Sequence, residues 1–248
     1  MAKVFQFVDK PVALQWDDIC NGDNIKAELE NHLAQWWPKL FGYHLLKLGP
    51  LSAQINTLKC QINHHFSLSE DEQCSIQASP RHLPLQTHSI DAVLMTSLLE
   101  FESDPYQVLR EVDRVVVSGG YIMLAGFNPI SPMFLGKLLP KYQNQIPWSG
   151  HFFMPSRVKD WLGLLGYQIH GDERLVYHHL LSEYPSSIAW HSKLEKWLPS
   201  AGSVYLIVAR KMDSPYTPIK DKHKIKSPNW TTAPTATRAR IKVKKRPI

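Results

Sequence analysis

Apolar residues follow two alternating patterns along most of the chain. In the first pattern, short and nearly continuous apolar runs are bounded by turn residues, which is typical of strands that a sheet buries on both faces. These runs predict strands over residues 43–48, 59–64, 73–78, 90–95, 121–125, 167–173 and 203–209, the sixth of which can extend to residue 181.

In the second pattern, apolar residues recur at helical spacing. It predicts one helix over residues 23–37 with Asp23 as its N-cap, and another over residues 103–117 with Ser103 as its N-cap. A third helix is expected over residues 156–165. Because helices separate many of the strands, the order favours parallel βαβ units and an α/β fold.

Charge is distributed unevenly along the 248 residues. Residues 211–248 hold 11 of the 28 Lys and Arg residues and two of the 22 acids, so this segment carries a net charge of +9 and the rest of the chain −3. The segment is also rich in proline and poor in apolar residues, a composition that cannot offset the entropy of ordering. We therefore predict a basic disordered tail over 211–248, a domain over 41–210, and an N-terminal helical segment over 1–40 packed on that domain.

The sequence also bears on where the protein is located and what it binds. The N-terminus lacks a signal-peptide pattern and no apolar run is long enough to span a bilayer, so we expect a cytoplasmic protein without a membrane span. The three cysteines have no CxxC spacing, and we expect no metal site. The tail can contact nucleic acid weakly through its charge, although a solvated tail without a partner is the simpler interpretation.

Between residues 83 and 129, short blocks follow one another in a specific order. They are Leu83-Pro84-Leu85, Ser89-Ile90-Asp91-Ala92-Val93, Leu98-Leu99-Glu100-Phe101, Asp104-Pro105, Val108-Leu109-Arg110-Glu111-Val112, Arg114-Val115, Gly119-Gly120-Tyr121 and Gly126-Phe127-Asn128-Pro129. This order closely resembles the second half of the class I, type 11 family of S-adenosylmethionine-dependent methyltransferases. The last block is similar to that of a bacterial subgroup of the family.

The resemblance covers roughly residues 40–210 and implies a fold. A member of this family is expected to have an α/β, Rossmann-like methyltransferase fold. Its sheet is seven-stranded and mostly parallel with an antiparallel last strand, and helices cover both faces.

The resemblance also implies that S-adenosylmethionine binds at the carboxyl edge of the sheet, where open α/β sheets bind ligands. The family places an acid and a glycine-rich turn after the first strand, an acid after the second, and often an Asp before Leu-Pro. Here Lys47 replaces the first acid, Asn63 and His64 stand at the predicted end of the second strand, and Ser79 replaces the Asp. The candidate cofactor-binding residues are Lys47, Gly49, Pro50, Asn63, His64, Ala78, Ser79, Met95, Thr96 and Ser97.

A methyl acceptor is expected over the carboxyl ends of the fourth and fifth strands. The Asn128 amide can hold a polar acceptor, and His151 is a candidate general base because imidazole titrates near neutral pH, so these two are the catalytic candidates. We expect a small-molecule acceptor rather than a macromolecule. The candidate substrate-binding residues are Phe127, Asn128, Pro129, Ser131 and Trp148.

Three other functions compete with an active small-molecule methyltransferase. The departures in the cofactor motif leave open a catalytically inactive, methyltransferase-like binding or scaffold protein. The basic tail leaves open an RNA-directed methyltransferase. A NAD-dependent dehydrogenase is disfavoured, because the chain has neither GxGxxG after the first strand nor an acid about 20 residues later.

Overall fold

In the residues that the computed structural model describes, 14–71, 74–142, 145–177 and 199–212, seven strands form one mixed sheet. The strands are β1 His44–Leu48, β2 His64–Ser69, β3 Ile76–Gln77, β4 Ile90–Thr96, β5 Val116–Phe127, β6 Tyr167–Leu175 and β7 Val204–Lys211. Their order in the sheet is β3-β2-β1-β4-β5-β7-β6. The first five strands are parallel, and β7 is antiparallel to both β5 and β6.

Helices lie on both faces of this sheet. They are α1 Gly22–Leu33, α2 Pro50–Ala53, α3 Pro105–Val115, α4 Leu135–Leu138 and α5 Pro155–Leu164. Successive strand residues point to opposite faces, so that Leu45 lies in the core that α1 covers and Leu46 in the core that α3 and α5 cover. The predicted Rossmann-like methyltransferase fold is therefore confirmed.

The second strand lies later in the sequence than its pattern predicts. The prediction over residues 59–64 is wrong, because β2 begins at His64, in register with His44 of β1, and runs to Ser69. Its buried apolar anchor is Leu68, which the predicted strand omits. The carboxyl end of β2 is therefore at residues 69–70.

The fifth strand also begins earlier than predicted, at Val116 instead of residue 121. Gly119 and Gly120 lie inside it, although the sequence suggests that they separate a helix from a strand. A Cβ on Gly120 would stand 2.9 Å from the carbonyl oxygen of Asp91 on β4. Glycine at this position thus allows the two backbones to approach closely.

Two helix caps differ from the predicted ones. The N-cap of α3 is Asp104, whose Oδ1 accepts a hydrogen bond from the Gln107 backbone at 3.0 Å, and not Ser103. The N-cap of α1 is Asn21, at φ 59°, and Asp23 lies in the first turn. In both cases the helix starts within two residues of the predicted position, but the residue that caps it lies one or two positions away from the predicted cap.

The chain divides into a unit over Met1–Ser214 and a second unit over Pro215–Ile248. The second unit lies outside the described residues, and so does nearly all of the predicted basic tail. The segment predicted to pack on the domain is described from Leu14 onward, where Leu14, Trp16 and Leu29 are buried in the core that α1 covers. No helix in the described part of the chain is long and apolar enough to cross a membrane.

Candidate functional site

The carboxyl ends of β1, β2 and β4 meet at one edge of the sheet. After β1 the chain builds outward to β2 and β3 and then returns to add β4 on the other side, so the strand order reverses between β1 and β4. Open α/β sheets bind ligands at such a reversal. A cavity of about 50 Å³ lies there, which we call the rim hollow; it is lined by Leu14, Pro50, Leu51, Ser69, Glu70, Pro80, Thr96, Ser97, Leu98, Phe101 and Glu102.

Gly49 makes the turn from β1 into α2. Its φ of +92° is a conformation that glycine adopts without strain, and its backbone N–H donates to the Leu68 carbonyl of β2 at 2.8 Å. An added Cβ would stand 3.1 Å from Leu98, which lines the rim hollow. The predicted pair Gly49 and Pro50 therefore lies at this edge.

The residues after Gly49 close the turn tightly. Leu51 is fully buried, and its carbonyl accepts a hydrogen bond from the Trp16 indole at 3.2 Å. The Ser52 hydroxyl accepts from the Thr96 backbone N–H at 2.8 Å and joins α2 to the end of β4. Leu51 thus places an apolar side chain in the wall of the rim hollow.

Glu70 follows β2 directly and lines the rim hollow. Sequence reasoning missed this acid, because it placed the strand end at Asn63 and His64. Those two residues lie at the amino end of β2 instead, where His64 Nδ1 is 2.9 Å from His44 Nδ1, so their predicted role in cofactor binding is wrong. The alternation of Phe66 and Leu68 with polar residues before Glu70 was the available signal.

The Lys47 side chain points to the loop after α2 and not into the rim hollow. Its ammonium donates to the Ile55 carbonyl at 2.8 Å, in the loop after α2, and it does not line the rim hollow. Burial lowers the pKa of Lys47, while the nearby Glu30 raises it. This lysine therefore holds the loop that follows α2, which corrects its predicted place among the cofactor-binding residues.

The β3 side of the edge contains the predicted pair Ala78 and Ser79. The Ala78 N–H donates to the Ser69 carbonyl at 2.9 Å, and the Ser79 hydroxyl is buried without a hydrogen-bond partner among the described residues. The next residue, Pro80, is the one that lines the rim hollow. Ser79 thus lies beside the cavity and not in its wall.

Three predicted residues end β4. Thr96 and Ser97 line the rim hollow, whereas Met95 is buried in the core that α3 and α5 cover. The Thr96 hydroxyl is buried and has no hydrogen-bond partner within the described part of the chain. Ser97 adopts φ +48°, which turns the chain out of the strand.

Two further glutamates follow β4. Glu102 lines the rim hollow, with the Arg81 guanidinium 3.7 Å from its carboxylate. Burial raises the pKa of Glu102, Arg81 lowers it, and the charge of Glu70 raises it again. Glu100 is fully buried, accepts a hydrogen bond from the Phe127 N–H at 2.9 Å, and has its pKa raised by burial to about 7.

The predicted acceptor residues that follow β5 are committed to internal contacts. The Asn128 amide donates to the Ser200 and Gly202 carbonyls, each at 2.8 Å, and its oxygen accepts from the Ile130 N–H. The Ser131 hydroxyl donates to the Asn128 carbonyl at 2.7 Å. Asn128 therefore organises the loop, and its predicted role as an acceptor-holding catalytic residue is wrong in this conformation.

The aromatic candidates are packed as well. Phe127 is buried against Phe152, and the Trp148 indole donates to the Met133 carbonyl at 2.9 Å from a buried position. Pro129, by contrast, is partly accessible. Phe127 and Trp148 thus support the loops around the carboxyl ends of β4 and β5.

His151 is exposed, and its backbone N–H donates to the Glu100 carbonyl at 2.7 Å. The preceding Gly150 lies against the ring of Phe101, which lines the rim hollow. His151 therefore directly follows a residue that lies against the wall of the rim hollow, and its role as a general base stays a prediction. Among the described residues, no group of three His, Cys, Asp or Glu side chains is placed to hold a metal ion.

Solved structures share this architecture. The chain aligns with a chain of the complex between the Haloferax volcanii Trm112 methyltransferase activator and a methyltransferase, with a TM-score of 0.58 and 14% identity over 77% of this chain and 92% of that one. A SAM-dependent methyltransferase from Archaeoglobus fulgidus aligns with a TM-score of 0.54 and 16% identity over 75% and 94% of the two chains. The fold is that of the class I methyltransferases.

Sequence comparison adds the family. Residues 35–124 match the methyltransferase domain family. The uncharacterized protein YafS of Escherichia coli (strain K12) is 36% identical over 224 residues, which cover 90% of this chain and 91% of YafS. The chain therefore belongs to the same family as YafS, with a methyltransferase domain, and S-adenosylmethionine is the cofactor that this domain and fold imply.

The polar groups of the rim hollow fit this cofactor, which carries hydroxyl and amino donors and a sulfonium charge. Glu70 and Glu102 supply carboxylate acceptors, and Thr96 supplies a hydroxyl. The space is smaller than the cofactor needs, because ligand pockets typically measure about 300–1,000 Å³ and the rim hollow measures about 50 Å³.

Proposed function

We propose that the chain is an S-adenosylmethionine-dependent methyltransferase that transfers a methyl group to a small-molecule acceptor. The observation that carries this proposal is the juxtaposition of Gly49, in its left-handed turn after β1, with Glu70 after β2. Glycine allows close backbone approach to a ligand, and a carboxylate at the next strand end can accept from ribose hydroxyls. In this proposal Glu70 supplies the acid that the family places after its second strand.

S-adenosylmethionine supplies the reactive methyl group when bound, so the protein has to bind, orient and exclude water. In the proposal Glu70 holds the ribose, and Thr96 and Ser97 form the floor beneath it. His151 stays the candidate base, since the preceding residue, Gly150, lies against Phe101 in the wall of the rim hollow. Pro129 remains a candidate acceptor contact after β5, and a cytoplasmic, bacterial enzyme remains the expectation.

The test is thermal unfolding of the full chain with S-adenosylmethionine or S-adenosylhomocysteine. A ligand at about 100 times its Kd stabilises the native state by about 2.7 kcal/mol, so the Tm should rise. Glu70→Gln should reduce the rise because it removes the charged acceptor. Asp160→Asn, which changes an exposed acid on α5, should leave the rise intact, and the absence of any rise for the unmodified chain at millimolar ligand would contradict the proposal.

A second candidate function is a methyltransferase-like binding or scaffold protein without catalysis. The small volume of the rim hollow and the buried Leu51 favour it. Conversion of S-adenosylmethionine to S-adenosylhomocysteine in the presence of an acceptor collection separates the two functions. If the unmodified chain produces S-adenosylhomocysteine faster than the Glu70→Gln variant does, the protein is an enzyme. If the chain binds the cofactor but methylates none of the acceptors, the scaffold function is supported.

A further inference from the structure

Glu102 lies in the loop between β4 and α3 and contributes a second carboxylate to the rim hollow. Its side chain is only 15% exposed. The Arg81 guanidinium is 3.7 Å away, and this cation is held in place by donating to the Ser103 hydroxyl at 2.8 Å. Arg81 therefore favours the ionised carboxylate without forming a close hydrogen bond to it.

Neither Glu102 nor Glu70 accepts a side-chain hydrogen bond from any group in the described residues. A largely buried carboxylate without donors is costly, and a second carboxylate nearby adds to that cost. The Thr96 hydroxyl, buried in the wall of the same hollow without a partner, is a separate polar group that lacks its hydrogen bond. Together these groups are suited to a ligand that is rich in donors.

The position of Glu102 indicates which donor it meets. Gly49 borders the hollow on the β1 side, whereas Pro80 borders it on the side of the edge strand β3. Arg81, which holds Glu102, follows Pro80 directly. Because its carboxylate is 3.7 Å from the Arg81 guanidinium, Glu102 lies on the Pro80 side of the hollow, and Ser79 is not among the lining residues. If Glu70 takes the ribose, Glu102 is the carboxylate left for the nucleobase.

We propose that Glu102 recognises the exocyclic amino group of the cofactor's adenine, and that it supplies from the loop after β4 the acid that Ser79 does not provide after β3. This assignment rests on the proposed cofactor function of the rim hollow. A carboxylate accepts from the 6-amino group, and it repels the carbonyl oxygen that replaces this group in inosine. Glu102 would therefore make the site selective for adenosine over inosine nucleosides.

Calorimetric titration with S-adenosylhomocysteine and S-inosylhomocysteine tests the assignment without any need for turnover. The unmodified chain should bind the adenosyl compound at least about tenfold more tightly, as expected for a hydrogen bond to a charged group. Glu102→Gln should bring the two Kd values together, because an amide can both accept from an amine and donate to a carbonyl. Glu102→Ala should weaken binding of the adenosyl compound and also lose the preference.

Two variants serve as controls, and thermal unfolding of each variant without ligand verifies its fold. Glu70→Gln should weaken both compounds by a similar factor and keep their ratio, since both carry the same ribose. Asp160→Asn should change neither value. A Glu102→Gln variant that keeps the full adenosine preference would overturn the Glu102 assignment and leave the proposed function intact, whereas an unmodified chain that binds neither compound would overturn both.

Discussion

Glu100 is the most strongly perturbed acid near the carboxyl ends of β4 and β5. Burial raises the pKa of its carboxyl to about 7, and the hydrogen bond from the Phe127 N–H only partly offsets this effect. Tyr205 packs close to it, with a buried hydroxyl that has no hydrogen-bond partner among the described residues. The folded protein therefore favours the neutral carboxyl at position 100.

This acid predicts a specific pH dependence of stability. Because the folded pKa of about 7 lies above the ordinary value of 4.5, the stabilising contribution is fully present below the ordinary value and is lost as the pH rises through the folded value. The free energy of unfolding should fall by about 2–3 kcal/mol between about pH 5 and about pH 8. Urea unfolding measures this fall. Glu100→Gln, which stays neutral, should largely abolish it, and an unchanged fall in that variant would refute the explanation.

Leu51 is a fully buried leucine in the wall of the rim hollow. Leu51→Ala should lower the free energy of unfolding by about 2–5 kcal/mol, as for other buried leucines, and should increase the affinity for S-adenosylhomocysteine. Leu29→Ala is the matched control, because Leu29 is equally buried in the same core but lies on α1 and does not line the hollow. Denaturant unfolding measures the loss of stability in both variants, and calorimetric titration measures their affinity for S-adenosylhomocysteine. A lower affinity in Leu51→Ala would show that the Leu51 side chain does not obstruct the ligand.

At the level of single elements, the block pattern of the sequence has a structural meaning. Glu111 on α3 accepts from the Leu83 N–H at 3.0 Å, and Arg114 donates to the Leu83 and Leu85 carbonyls, each at 2.9 Å. The Glu111 and Arg114 side chains also form an ion pair at 2.8 Å. The helix thus holds the Leu83-Pro84-Leu85 block by its backbone, and the i, i+3 spacing of this pair was readable from the sequence.

Substitutions at the N-terminus of α3 test which residue caps this helix. Asp104→Ala should destabilise the protein by about 1 kcal/mol, because it removes the acceptor for the Gln107 N–H. Ser103→Ala should have a smaller effect, since Ser103 bonds to Arg81 and not to the helix. Thermal unfolding of the two variants compares them, and a larger loss for Ser103→Ala would contradict the observed cap.

The strands illustrate what the sequence could and could not predict. β1 and β4 were located correctly because Leu45, Leu46 and Val93 belong to nearly continuous apolar runs. β2 was not, because polar residues interrupt its apolar ones, and its position is fixed by hydrogen bonds to β1 that a local pattern does not contain. The displaced strand end is the reason that Glu70 was missed.

For the molecule as a whole, the family blocks were enough to predict a seven-stranded, mostly parallel sheet with an antiparallel last strand, whereas they did not predict which side chains line the site. The sequence placed Gly49, Thr96 and Ser97 at the carboxyl edge of the sheet; Thr96 and Ser97 line the rim hollow there, and Gly49 lies against Leu98, which also lines it. It could not reveal that Lys47 and Asn128 are engaged by carbonyls distant in the chain, because those contacts depend on tertiary packing. Nor could it bring Glu102 beside Glu70, which lies about 30 residues earlier.

In our proposal, the carboxyl edge of the sheet around the rim hollow binds the cofactor and opens when it binds. A crystal structure of the full chain grown with saturating S-adenosylhomocysteine tests it most directly. We expect the ribose hydroxyls within hydrogen-bonding distance of Glu70, with Leu51 displaced from its present position and the cavity enlarged to nucleoside size. A structure with the rim hollow still closed and the nucleoside absent, or bound elsewhere, would contradict it.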